Sequence, residues 1–350
     1  MPKFRCLALI GAAALAMTML AAKPGTAALP LYILSKTIPL GGDVKWDYLH
    51  FDPSSDEVFV SHGTELTVLN AKTGTIAGHI QGLQGSHGIA IDDATGRGYA
   101  DSAETKTAVV FDLRTLKIIK TIPALLDADG MAFDPASKQV FIAGGDAKAV
   151  LAVDTKTNEP VKSISLGGSP EFLVADGLGS LYLNIKDKNE IVRVDTKTNA
   201  VIARWPVAPC DRPTGLAIDR ASRRLFSSCR NALMVVVDAD SGKVVASLPI
   251  GKGTDAAAFD SRRKFVFSSN RDGTLSVIQE NSPDNFTVLQ SVKTEPGART
   301  MAVDPVTGQI FLVTAQLKSA GAPQYAGGPP FYEFVPGTVK ALYFVPRPRL

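Results

Sequence analysis

Seven side chains recur at one register of this sequence: Asp47, His87, Asp129, Glu171, Thr214, Asp255 and Arg299. Each lies five residues before one of a series of regularly spaced aspartates. Four are acids, one is a histidine and one an arginine, and none is aliphatic. Such groups do chemistry only if the fold gathers them. Carboxylates converging on one axis offer oxygen ligands to a hard divalent cation, for which Asp129, Glu171 and Asp255 are the candidates. They would equally grip a cationic group on a ligand, and crowding raises the pKa of some of them. The plainer alternative is a solvated rim partly neutralised by Arg299, Arg212 and Arg271. Trp46 either offers a stacking surface beside Asp47 or fills a gap in the core. Asn184 and Asn270 fall in loops expected near the same face and complete the candidate ligand-binding set.

Familiar catalytic signatures are missing. There is no Gly-x-Ser-x-Gly elbow, no His-Glu-x-x-His, and no Gly-rich phosphate loop. There is no Cys-x-x-Cys and no haem-attachment motif. The four histidines stand at 50, 62, 79 and 87. A metal cluster of His50, His62 and His87 is the weaker metal reading; His50 reads as a buried core residue and His79 as surface.

The elements that must position these groups show themselves as a repeat. Seven apolar runs each end in aspartate, at Asp52, Asp92, Asp134, Asp176, Asp219, Asp260 and Asp304. The steps between them are 40, 42, 42, 43, 41 and 44 residues. A period this regular marks an array of supersecondary units. An aromatic follows each marker by seven residues at Phe59, Tyr99, Phe141, Phe226, Phe267 and Phe311, and by six at Tyr182. A β-rich run closed by a polar residue comes next, as in Val110-Phe111-Asp112 and Val236-Val237-Asp238, and turn residues such as Ser241-Gly242 precede a fourth run. Four short strands in about 42 residues make one propeller blade. The expected fold is all-β, a seven-bladed β-propeller over residues 29–350. A β-sandwich, the main alternative, has no reason to repeat at this period.

The seventh repeat lacks a fourth strand after Val339–Phe344. Residues 31–40 carry the fourth-strand pattern and precede the first blade, so the N-terminal strand is expected to close the last blade. The stretch 315–332, rich in Gly, Pro and Ala, interrupts the seventh blade between its second and third strands. It is expected either to overhang the channel face as a flap or to be an insertion without a role.

The 350-residue chain carries 37 basic and 34 acidic side chains, with 45% hydrophobic residues. Disorder and a coiled coil are excluded by this composition. Residues 1–28 have the pattern of a secretory signal peptide: Lys3 and Arg5, an apolar run from Leu7 to Leu20, and a cleavage site at Thr26-Ala27-Ala28. An uncleaved anchor is the alternative. Removing this segment takes away Lys3, Arg5 and Lys23 and leaves a formally neutral chain, which argues against general nucleic-acid binding. The expected location is periplasmic or secreted, with no membrane span in the mature chain. Cys210 and Cys229 then remain as an even pair in an oxidising setting, at positions the repeat places close together, and are expected to form a disulfide.

These markers resemble the YVTN-repeat (YncE-like) β-propeller family. The matching second-strand segments are Phe59-Val60-Ser61-His62, Phe267-Ser268-Ser269-Asn270 and Phe311-Leu312-Val313-Thr314, with Pro336-Gly337-Thr338-Val339 before the last apolar strand. The resemblance covers residues 31–350, although the literal four-letter motif occurs nowhere. It implies an exported seven-bladed propeller and no assured enzymatic activity. The resulting expectation is a monomeric binding protein that meets a small molecule, a cation or a protein partner at the channel face. Its rivals are a metal-assisted lactonase or lyase using the rim acids and His87, and a propeller subunit of a periplasmic dehydrogenase. A divalent cation is the one cofactor the ring suggests.

Overall fold

The computed structural model describes residues 1–2, 29 and 31–348. The expected signal peptide, beyond its first two residues, lies outside the described residues. Among those described, no helix is long and apolar enough to cross a membrane.

The chain forms seven antiparallel blades around a central channel. Their innermost strands are Leu49–Asp52, Ile89–Asp92, Ala128–Asp134, Pro170–Ala175, Pro213–Asp219, Thr254–Asp260 and Met301–Val303. Every marker aspartate ends such a strand or directly follows it. In six of the seven the buried carboxylate accepts backbone N–H groups of the next turn, as Asp52 does from Ser54 and Ser55 and Asp260 from Arg262 and Arg263; Asp92 is the exception, with one carboxylate oxygen buried and unpartnered. The repeat marker is therefore a turn lock, with a side chain standing in for a backbone acceptor. Asp112, Asp154, Asp195 and Asp238 do the same between the third and fourth strands.

The seven marker aromatics, Phe59, Tyr99, Phe141, Tyr182, Phe226, Phe267 and Phe311, are all fully buried. They pack between neighbouring blades. Ala217 and Phe226 of the fifth blade, for example, share a core with Ala257 and Val266 of the sixth. Truncating a ring in such a site costs about 3–5 kcal/mol.

In the first blade the strand Glu57–Asn70 runs through two blade positions. Fourteen extended residues would span roughly 46 Å, yet Ala71 N–H donates to the Asp56 carbonyl at 2.9 Å. The segment folds back on itself at Gly63, whose φ of 64° is open to glycine.

The seventh blade is closed by the N-terminal strand. Tyr32–Pro39 pairs antiparallel with Lys340–Pro346, from Tyr32 opposite Pro346 to Pro39 opposite Lys340. The stretch after Ala315 forms a β-hairpin of its own, Leu317–Gly321 against Phe331–Phe334. Most of its Gly and Pro residues collect at the tip between those strands, while Phe331, Tyr332 and Phe334 supply strand-forming aromatics along its second strand. Cys210 and Cys229 are joined by a disulfide, with Cα atoms 5.4 Å apart.

Candidate functional site at the channel mouth

The inner strands enter the ring through a tight packing device. Glycine follows three of the register residues, as His87-Gly88, Asp129-Gly130 and Thr214-Gly215. A methyl group on Gly88 would strike the Asp129 carbonyl, one on Gly215 would strike the Ala257 amide, and one on Gly130 would lie 2.9 Å from the Glu171 carbonyl. Each glycine lets one blade's entry strand touch the next blade's backbone. The residue before it is thereby drawn towards the axis.

Side chains from neighbouring strands then fix the rim backbone. Asp101 accepts the N–H groups of His87 and Gly88 at 2.8 and 2.7 Å. Ser61 Oγ donates to the His87 carbonyl, Asn184 Nδ2 to that of Thr214, and Ser269 Oγ to that of Arg299. Thr300 Oγ1 donates to the Asp47 carbonyl at 2.7 Å. Side-chain hydrogen bonds from neighbouring strands thus fasten the rim backbone at several points.

Six of the seven register residues face one another. His87 Nδ1 lies 2.6 Å from Asp47 Oδ2. Arg299 Nε lies 2.6 Å from Asp255 Oδ2, and Arg299 Nη2 is 3.7 Å from Asp47 Oδ1. Lys186 Nζ sits 2.5 Å from Glu171 Oε2. One ligand atom from each of Asp47, His87 and Asp129 lies within 4.8 Å of the other two. The charges act on each other accordingly. Burial works against a charge on His87, but the bond to Asp47 and the charges of Asp47, Asp101 and Asp129 more than offset it and raise the pKa to about 9. Burial also opposes ionisation of Asp47, yet His87 and Arg299 hold it below the usual carboxylate range. Asp129 has no cation of its own in contact; burial and the charges of Asp47 and Glu171 push it well up. Buried Asp101 rises to about 7, chiefly by desolvation.

The floor of the mouth is aromatic. The rings of Tyr48 and Phe172, from blades on opposite sides of the channel, meet edge to face at 5.0 Å. Burial, then the charges of Asp129, Glu171, Asp47 and Asp255, raise the Tyr48 pKa well above its ordinary value. Acids from four blades thus converge on one phenol.

The other candidates lie beneath this surface. Thr214 is fully buried and donates to the carbonyls of Ser228 and Thr254. Asn184 bonds the Thr214 and Gly215 carbonyls and accepts from Ser227. Asn270 is spent on Ser268, Thr274 and Ser276. Trp46 is buried and packs edge to face on Phe334 of the hairpin, 5.1 Å between centroids, so it fills a gap in the core. Of the three metal candidates, Asp255 is taken by Arg299 and Glu171 by Lys186, leaving Asp129 with Asp47 and His87. His62 Nε2 contacts the Asp43 carbonyl at 3.0 Å and does not join His87. Burial lowers the His50 pKa to about 4.

A basic counterpart to the acids comes from the residue that follows the second strand. In blades four to six it is Lys186, Arg230 and Arg271; in blades one to three it is Gly63, Ala103 and Gly145. The sequence carried this signal ten or eleven residues after each marker. The mouth is therefore split, with His87 and unneutralised acid on the side of blades one to three, and guanidinium groups on the side of blades five to seven. The hairpin overhangs the basic side. A Cβ on Gly253 would lie 2.6 Å from Pro329 Cγ, and Phe334 packs over Gly297 and Trp46.

No family model matches the sequence, and no curated protein matches it either. Solved structures do resemble it. One is described as Kuenenia stuttgartiensis hydrazine synthase, with a TM-score of 0.69 and 15% identity, covering 77% of this chain and 92% of that one. Another, described as the structure of U3-55K, gives a TM-score of 0.73 at 10% identity, covering 89% of this chain and 98% of that one. The likeness is one of fold. At such identities it assigns no chemistry.

Proposed function

We propose that this chain is an exported, monomeric binding protein that takes a small polar ligand at the channel mouth, between the charge-split rim and the overhanging hairpin. The carrying observation is the division of charge around a mouth in which Tyr48 and Phe172 meet across the channel. A ligand with a cationic or hydrogen-bond-donating group would meet Asp129, the rim acid that no cation contacts among the described residues, and the far side would offer arginines. A rim backbone fastened by side-chain hydrogen bonds supports binding with little reorganisation. The Cys210–Cys229 disulfide and the leader pattern support export, and the repeat phase supports kinship with the YVTN-type propellers. The test is a thermal-shift screen of small polar compounds. A compound that stabilises the protein and loses its effect in Asp129→Ala and Arg299→Ala supports the reading. Stabilisation that survives both changes overturns it.

A second reading, a divalent cation held by Asp47, His87 and Asp129, is favoured by their mutual distances. It is the less favoured because His87, with its pKa near 9, is mostly protonated at neutral pH, and a metal must displace that proton. Metal analysis of the purified protein at pH 7 and pH 9 separates the two.

A further inference from the structure

Beneath the hairpin tip lies a cavity of about 110 Å³, lined by Arg230, Asp255, Arg271, Tyr325, Pro329 and Phe331 among others. Its charge is unbalanced. The Asp255 carboxylate is already engaged by Arg299 Nε at 2.6 Å, and Glu171, the next acid along the rim, is engaged by Lys186. Among the described residues, no carboxylate lies within 4 Å of the guanidinium of Arg230 or Arg271, and neither group donates a side-chain hydrogen bond. Both are nonetheless partly buried. Burial, followed by the like charge of Arg299, lowers the Arg271 pKa from its ordinary value; Asp255 opposes this and Arg230 adds to it. Two uncommitted arginines held near each other, under a cover and in reach of a third, form an arrangement that costs free energy until an anion joins them.

We propose that this cavity is an oxyanion site: it takes the carboxylate or phosphate group of the ligand, held by the guanidinium groups of Arg230 and Arg271 and capped by the hairpin residues Tyr325 and Pro329. Planar guanidinium forks match oxyanion geometry. A volume near 110 Å³ suits one such group with a few waters; a cavity of about 150 Å³ holds a benzene. The inference rests on the reading of the mouth as a ligand site and names the ligand's class, with an acidic group at this end and a polar or cationic group reaching towards Asp129. Gly253, at φ 68°, keeps the cover close, since any side chain there would strike Pro329 and Arg271.

The test uses the full mature protein with inorganic phosphate and acetate as probes, at constant ionic strength held with chloride. Saturating probe should raise the melting temperature by about 2–4 °C, and Arg271→Gln should abolish the rise. Should that variant fail to fold, Arg230→Gln replaces it, and ³¹P line broadening of phosphate by the unmodified protein supplies a readout that needs no variant. A response to phosphate alone points to a phosphate group; equal responses point to a carboxylate as well. No response in the unmodified protein, or one that persists undiminished in the folded variants, overturns the oxyanion site. That outcome leaves the screen for a channel-mouth ligand standing by its own result, so the two failures are distinct.

Discussion

Asp47 and His87, forty residues apart and on successive blades, meet through Oδ2 and Nδ1 at 2.6 Å on the rim of the channel. The contact ties two blades together and fixes where positive charge sits among the acids. It also has a direct spectroscopic consequence. In an NMR titration of the imidazole protons, His87 should titrate near 9 and His50 near 4. The sign for stability follows from the raised value. Charged His87 contributes fully below about pH 6.5 and loses that contribution as pH rises through about 9. Asp101 and Asp129, both raised, weaken the fold in the same direction as pH rises, and for Asp101 this ends near pH 7. Melting temperature should therefore fall from pH 7 to pH 9. A His87 that titrates at its ordinary value would remove the ion pair from the account.

Gly88→Ala should destabilise by about 1–3 kcal/mol, because the new methyl group meets the Asp129 carbonyl. The same change should move the His87 titration towards its ordinary value, since it pries the second and third blades apart. Chemical denaturation and the imidazole signal measure the two effects on one sample.

Reduction of the Cys210–Cys229 disulfide should cost roughly 3 kcal/mol, the chain-entropy value for a loop of this length. Free-thiol titration of unreduced protein spanning residues 29–350 should find no reactive cysteine. A melting temperature unchanged by reductant would mean that the fifth blade's rim is held without the bond.

Deletion of residues 31–40 should lower the melting temperature greatly, by removing the strand that pairs with Lys340–Pro346 and uncovering that strand's edge. It also removes Tyr32, which packs edge to face on Phe267 at 5.5 Å. Circular dichroism melts of residues 29–350 with and without the deletion make the comparison.

The fold was legible in the sequence because a turn-locking aspartate and a buried aromatic recur at one period, and both are local signals. The acids of the rim were legible for the same reason, as a column in the repeat. Thr214 occupies the same column yet turns inward, and Asn184 and Asn270, on second strands, do so too. Polar type alone does not tell a side chain that faces the channel from one that holds the next blade's carbonyl. Trp46 illustrates the other blind spot: its partner Phe334 comes from the hairpin 288 residues later. Arg230 stood in the repeat at a readable position, but its lack of a carboxylate partner is a fact of three dimensions.

Tyr32–Pro39 and Lys340–Pro346 are among the first and last segments of the propeller to be made, and they are hydrogen-bonded neighbours. The torus cannot shut during synthesis until its final strand has left the ribosome. Until then six wedges wait beside an open seam. Long-range closure of this kind is slow, so the seam between the two chain ends is the last part of the ring to set.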